Sequence, residues 1–564
     1  VRCAGVAQAE HARIAVRAGS KNDPSDSTGM AHYLEHMLFK GTPRLGTLDY
    51  EKERPHLERI RALYEDLFKT KAEAARAKIY KEIDSANGRA SAFAVPNEYD
   101  RFYRSIGAEG LNAYTSDEQT VYVVSIPANR LEAWAAVESE RFKNPVFRLF
   151  QTEIETVYEE KNRSMDNAER IIGEEVENRL FKKHPYGQQP TLGSIEHLKN
   201  PSLAKMYAFY DRWYAPNNMA IALSGDFDRT KTLELIKRNF SSWTPHALPD
   251  LPKWELPKLK GEEKYEVKYE AEQKVELAWL TVPHSHPDAD TLSVLDMIVD
   301  NSAAGLLNLR LNQAQKVKAS GSYPNMRNDA GSWHAWALPK KDQTPEEAQA
   351  LLLGALDALK AGDFSAEDVA AVITAFELGE KSRIESNDSR VSLMAGSFIA
   401  VEPWEHAIGR LDRIRKVTKA DVVRVANKYL GSDRIAVYRR DAKQESPKIG
   451  KPSFTHIAID PSRESAFMKE VLAIPALPLN PRWLVSGRDY LITPIEGGRL
   501  YSTKNPYNDL FTLSFYYERG WRAERELCTA VDLLSLAGAG PLSADEFKKK
   551  LFALGTTLSY SCGE

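Results

Sequence analysis

Apolar and polar residues alternate in "RIAVRAGS" (13–20) and end on a glycine turn, which predicts a β-strand. "NDPSDST" then offers Asp and Ser as a helix N-cap, and the segment carrying HYLEH continues as a buried helix. From Glu58 to Asp84 the pattern predicts one charged amphipathic helix with Leu57, Ile60, Leu63, Tyr64 and Leu67 as its apolar stripe. The charges on it are mixed in sign, so it reads as a solvated helical insert, about 51–95, rather than a binding arm.

"GLNAYTSDEQTVYVVSIP" (110–127) predicts a two-stranded hairpin with TSDE near its turn. Helices follow over "LEAWAAVESERF" and "FQTEIETVYEEKNRSMDNAERIIGEEVENRLF". "MAIALSGDFD" (219–228) is apolar enough to predict a central strand that closes a first unit, 1–250. Residues 251–440 repeat the mixture of strands and helices as a second unit. The stretch 441–482, rich in Pro, Lys and Ser, is the linker candidate.

After it comes an internal echo. "LFTLSFYYERGWRAERELCTAVDLLSLAGAG" (510–540) aligns with residues 11–41, placing Val531, Leu534 and Ser535 opposite His32, Glu35 and His36. Residues 483–564 therefore read as the start of a degenerate third domain that stops in mid-hairpin, the expectation for a truncated chain.

Composition narrows the class. The chain has 564 residues, 43% hydrophobic and 27% charged, ordinary globular values with material for several cores. A net charge of −3 carries no electrostatic footprint for nucleic acid. No apolar run is long enough to predict a membrane span. The cysteines Cys3, Cys528 and Cys562 are too few and too scattered to predict a disulfide framework. The expected compartment is periplasmic or otherwise exported, with the cytosol left open.

The chemistry concentrates in "GMAHYLEHMLFKGT" (29–42). On a helix, His32 and His36 share a face and can aim both imidazoles at one point. Zinc takes imidazole nitrogen at about 2.0 to 2.1 Å and keeps an open position in catalytic sites. Glu35 stands beside the second histidine, placed to take a proton from water. A third ligand has to come from elsewhere, and "TEIETVYEEKNRSMDN" offers Glu153, Glu155, Glu159 and Glu160. Glu153 and Glu160 lie two turns apart on one stripe, as a ligand and a supporting carboxylate would.

The HxxEH order is the inverted zincin arrangement, and the sequence resembles the pitrilysin, insulysin and mitochondrial processing peptidase family. "HYLEHMLFKGT", "GLNAYTSDEQTVY", "ETVYEEKN", "HPYGQQPTLGSIEHL" and "FYDRWYAPNNMAIALSGDFD" carry the resemblance, in the family's order. It implies an α+β fold of repeated two-layer α/β domains, each a mixed sheet covered by helices. These form a clamshell of two halves, the second incomplete here. It implies one zinc ion per chain on His32, His36 and Glu160, with Glu35 as general base and Glu153 supporting the site. Glu159 is the competing third ligand, and the family's spacing of seven favours Glu160. Asn112 and Ala113 match positions where the family's substrate backbone pairs by strand addition.

Two departures stand out. The gap from His36 to Glu160 exceeds the family's usual spacing by roughly the helical insert, and surface insertions are well tolerated. The family's assisting Arg and Tyr, seven apart, are not matched: Arg310 is followed at that distance by Val317. That pair is expected from an absent C-terminal portion, a partner subunit or a dimer. The implied function is zinc-dependent hydrolysis of peptides or unfolded polypeptides. The rivals are a scaffold or incomplete subunit, and a metal-dependent hydrolase of non-peptide substrates.

Overall fold

Two sheets with the same strand order organise the chain. This computed structural model describes residues 9–444, 448–450, 454–455, 457, 460, 462–476, 478 and 483–563. In the first unit the order in sequence is β1 (Ala9–Val16), α1 (Met30–Met37), α2 (Tyr50–Lys69), α3 (Glu73–Ser91) and α4 (Glu98–Ser105). The hairpin β2 (Glu109–Thr115) and β3 (Thr120–Pro127) follows, then α5 (Leu131–Lys143), α6 (Phe150–Ser164), α7 (Ala168–Leu180) and β4 (Met219–Ser224). The sheet runs β2-β3-β1-β4. The second unit has β5 (Glu262–Tyr269), β6 (Lys274–Thr281), β7 (Ala319–Met326), β8 (Gly331–Leu338) and β9 (Arg434–Asp441). Its order is β5-β9-β6-β8-β7, so β7-β8-β6-β9 repeats β2-β3-β1-β4, with β5 added in parallel beside β9.

Alternation along β1 explains its two faces. Ala12, Ile14 and Val16 join the first core with Leu34, Trp134 and Phe150. Ala15, with Val121 of β3, meets Ala395 and Ile399 of the helix Asn387–Ile399, which belongs to the second unit. The reverse also holds. Ile172, Val176 and Leu180 of α7, from the first unit, are fully buried against Ala278, Ile435 and Val437 of the second sheet. Each sheet thus has one face covered by the other unit's helix, and polar contacts frame the exchange. Glu169 of α7 accepts from Lys274 (2.6 Å) and Arg439 (2.7 Å), and Arg17 donates to the Phe398 carbonyl (2.7 Å).

Several expectations need correction. The helix expected over 58–84 is two, α2 and α3, with an extended break at Thr70 and Ala72. Arg76 donates to the Leu67 and Thr70 carbonyls (2.7 and 2.9 Å), which pins the start of α3 to the end of α2. No Gly or Pro marks that reversal. Ile60, Leu63, Tyr64 and Leu67 are buried and Leu57 is half-buried.

Among the described residues β4 is an edge strand, not a central one, and pairs only β1. Its apolar character comes from having both faces covered. Met219, Ile221 and Leu223 pack on the first core, and the helix Asn387–Ile399 lies across it.

Much of the linker candidate 441–482 lies outside the described residues. Its helix Ala466–Leu472 packs back on the first unit, burying Phe467, Met468 and Val471 in that core. The echo of 11–41 in 510–540 does not extend to a strand opposite β1: at 510–517 the backbone is irregular, and Phe511, Phe515, Tyr516 and Tyr517 are exposed. A strand is held by its neighbours, and among the described residues none pairs with this segment. The hairpin Leu491–Ile495 and Gly498–Ser502 stands as a separate two-stranded sheet. Cys528 and Cys562, for which the sequence predicts no pairing, are joined as a disulfide with Cα atoms 5.1 Å apart. No helix among the described residues is long and apolar enough to cross a membrane.

Candidate metal centre

The helix that carries HYLEH is started from a distance. Its N-cap is Gly29, whose φ of 86° lies in the left-handed region that glycine tolerates. The capping group is Asp23, six residues upstream. Its carboxylate accepts from the backbone of Gly29 (2.7 Å), Met30 (3.2 Å) and Ala31 (2.8 Å). These are the donors a helix start leaves unpaired. The Asp and Ser expected nearby do include this residue, but it caps from six residues upstream, not from the adjacent position. A Cβ on Gly29 would sit 2.9 Å from the Gly193 backbone, so the "PTLG" turn passes directly beneath α1.

α6 supplies the opposite wall. Tyr33 of α1 donates to the Phe150 carbonyl at 2.6 Å and its ring stacks on Phe150, which ties the start of α6 to α1. Glu153 and Glu160, two turns apart, then project toward the histidines. His32 Nε2, His36 Nε2 and Glu160 Oε2 form a triangle with sides of 3.3, 3.4 and 3.4 Å. Two ligands about 2.1 Å from one ion at tetrahedral angles stand about 3.4 Å apart. The three donors therefore fit a small tetrahedral divalent cation, and among the described residues they form the one such cluster. Glu159, the competing candidate, is not part of it.

His36 Nδ1 donates to Glu153 Oε1 at 2.8 Å, which leaves the Nε2 lone pair for a metal. Lys40 pairs with the other Glu153 oxygen. Burial lowers the proton affinity of His36, but its bonds to Glu153 and Glu160 outweigh this and raise its pKa to about 9. Burial and the neighbouring His36 charge push His32 down to about 4. His32 Nδ1 is buried without a hydrogen-bond partner among the described residues.

Glu35 points into the same cavity, 7% exposed. Thr115, the last residue of β2, donates to Glu35 Oε2 at 2.5 Å. Burial raises the Glu35 pKa, while the Thr115 bond and His36 pull the other way. The cavity is about 780 Å³ and includes Asn112 and Ala113. These lie on β2, which among the described residues pairs only β3 and leaves its other edge open to the cavity.

Sequence reasoning missed four lining or supporting residues: Lys40, Thr115, Arg170 of α7 and Asn325 of β7. Only Lys40 carried a local signal, four residues after His36 and just past the end of α1. Arg310 is not at this site; it pairs with Asp363 at 2.6 Å, and Val317 is buried in the second core.

Comparisons with known proteins bear on the fold and the family. The family model for "Insulinase (Peptidase family M16)" matches residues 6–54 and 90–192, skipping most of α2 and α3. The model for the "Peptidase M16 inactive domain" matches 202–376. The "Probable zinc protease PqqL" of Haemophilus influenzae is 25% identical over 319 residues, 55% of this chain and 29% of that protein. The "Zinc protease PqqE" of Helicobacter pylori is 22% identical over 431 residues, 74% of this chain and 84% of that one. The chain spans under half the length of several curated relatives it matches, including 40% of an uncharacterized zinc protease of Mycobacterium leprae.

Among solved structures, a protease from Helicobacter pylori superposes with a TM-score of 0.64 at 19% identity, covering 77% of this chain and 94% of that one. The periplasmic protease PqqL from Escherichia coli gives 0.57 at 17% identity, covering 96% and 59%. The two family models together span more than half of the sequence, in the order of its two α/β units, and the first contains the histidine helix: the chain belongs to the insulinase family, peptidase family M16.

Proposed function

We propose that this protein is a zinc-dependent endopeptidase, with His32, His36 and Glu160 as metal ligands and Glu35 as general base. The observation that carries the reading is the 3.3–3.4 Å triangle of donor atoms with a buried carboxylate beside it. Zinc held there polarises a carbonyl and lowers the pKa of water toward about 7.

The chain's own groups do the rest. With one oxygen held by Thr115, Glu35 keeps the other free to take a proton from the attacking water. Its raised pKa makes it a better base near neutrality, and the same carboxyl then returns the proton to the leaving amine. Glu153 fixes the His36 ring through Nδ1. A peptide adds as a strand along the open edge of β2 at Asn112 and Ala113. Peptides and unfolded polypeptides are the substrate class this edge favours.

A partner subunit, a dimer or further chain that supplies an Arg and Tyr pair belongs to the same reading, because Arg310 is engaged elsewhere. So does an exported, periplasmic setting. The Escherichia coli relative is a periplasmic protease, and the Cys528–Cys562 disulfide suits an oxidising compartment.

The test is peptide cleavage with and without chelator, alongside elemental analysis of Glu160→Gln and Glu159→Gln. Chelation is expected to abolish cleavage, and Glu160→Gln alone to lose the metal. Cleavage that survives full metal removal, or metal loss only in Glu159→Gln, overturns the assignment.

A further inference from the structure

We propose that the metal-free unit is a working part of the metal cavity: Arg327, in its β7–β8 turn, is a positioning residue for the β2–β3 turn and, through it, for the edge strand and Glu35. The catalytic consequence rests on the peptidase reading above; the structural one does not.

The topology sets up the contact. β2–β3 and β7–β8 are equivalent hairpins of the two sheets, each closed by a four-residue turn, 116–119 and 327–330. The two turns meet tip to tip. Arg327 is 7% exposed, and its guanidinium bridges two carboxylates of the first unit. One nitrogen donates to Asp117 Oδ2 at 2.6 Å and another to Glu177 Oε2 of α7 at 2.8 Å. The rings of Tyr186 and Phe181 lie 4.0 and 4.6 Å from it. Beside it, the Asn328 backbone donates to both oxygens of Glu118 (3.1 and 3.0 Å), and Lys21 links Glu118 to Asp329 (2.7 and 3.2 Å).

The anchored turn leads straight to the chemistry. Asp117 is two residues past Thr115, whose hydroxyl holds Glu35. On the other side, Asn325 is two residues before Arg327. Ser116, Asp117 and Asn325 line both the metal cavity and a neighbouring cavity of about 720 Å³, so the joined turns are the wall between them.

The first unit grips the same turn through its carbonyls: Ser20 and Lys21 donate to the Ser116 and Asp117 oxygens at 3.0 and 2.9 Å. Arg327 grips its side chain. Removing the second hold loosens the turn without dismantling it. A planar guanidinium spans two acceptors that a lysine ammonium, a single point charge, does not.

The experiment uses the zinc-loaded chain with Arg327→Lys and, separately, Asp117→Asn, which removes a charge without leaving a hole. Deuterium uptake over 109–119, metal content, thermal midpoint, kcat and KM are measured. Uptake over 109–119 is expected to rise several-fold in both variants while uptake over α1 stays unchanged. kcat per bound zinc is expected to fall about 10- to 100-fold, the scale of a displacement near 1 Å at the reacting groups. A merely structural role instead lowers midpoint and metal content together and leaves kcat per zinc intact. That result, or unchanged uptake in both variants, overturns the proposal. If the unsubstituted protein cleaves no peptide, the peptidase reading fails and the uptake measurement alone decides the clamp.

Discussion

At the scale of single residues, the metal cavity divides labour between two glutamates with different surroundings. Glu35 is buried, bonded through one oxygen and raised in pKa, which suits proton transfer. Glu153 is held below the usual carboxylate range: burial raises it, but His36 and Lys40 outweigh that, so it stays a fixed anion against the His36 ring. Glu35→Gln is expected to keep fold and metal while hydrolysis falls by about 10²- to 10⁴-fold, the range for losing a general base. Near-normal turnover at full metal occupancy would sink the role. Glu153→Gln is expected to act on the metal instead, with affinity down about 10- to 100-fold as for other outer partners of a histidine ligand. Competition against a chelator of known affinity measures it, and unchanged affinity means that Glu153 does not orient His36. The histidine pair was legible in the sequence because four residues on a helix is a local distance. The Thr115–Glu35 bond joins residues 80 apart, and nothing local in either segment announces it.

At the scale of elements, the helical hairpin α2–α3 is an insertion that shares the first core. Leu67 is fully buried there, and Leu67→Ala is expected to cost about 2–5 kcal/mol of unfolding free energy, transfer plus cavity. Metal content below the transition should not change, because α2 supplies no group to the metal cavity. Denaturant unfolding reads the first quantity and elemental analysis the second; lost metal at full helicity would make the insert part of the site.

A pH dependence belongs to β6 and β8. Burial raises the Glu276 carboxyl, but its bonds to His334 and Tyr323 and the Lys274 charge bring it from 4.5 down to about 2. A depressed folded pKa contributes stability above the unfolded value that disappears as pH falls toward the folded one. Glu276→Gln should therefore flatten the stability-versus-pH curve between about 4.5 and about 2. An unchanged slope there would show that the group does not titrate on unfolding.

Periodicity made the strands β1, β2 and β3 and the stripe of α2 legible, since each shows its own burial pattern. The break at Thr70 and the edge position of β4 were not, because both depend on partners distant in sequence: α3 folding back, and the helix Asn387–Ile399 laid across the first sheet. The 510–517 segment failed for the same reason in reverse. Its alternation is strand-like, but no neighbouring strand is there to pair with it among the described residues.

At the scale of the molecule, the exchange of helices couples the two α/β units more tightly than a two-domain chain requires. Domains joined by a modest polar interface usually unfold separately. Here α7 leaves the first unit to be buried in the second, and the helix Asn387–Ile399 does the reverse, so neither sheet is covered on both faces without the other. Losing either unit would strip an apolar sheet face and break the partly buried pairs Arg327–Asp117 and Arg327–Glu177. The two units are therefore expected to unfold in one transition. Leu180, in α7 and fully buried against the second sheet, supplies the decisive variant. Leu180→Ala should cost about 2–5 kcal/mol and should shift protection of β1 and β6 amides together. Native-state hydrogen exchange followed strand by strand makes the measurement. Two separate transitions, or a shift confined to β6, would show that the exchanged helices cover the sheets without coupling them, and that the units fold as independent domains.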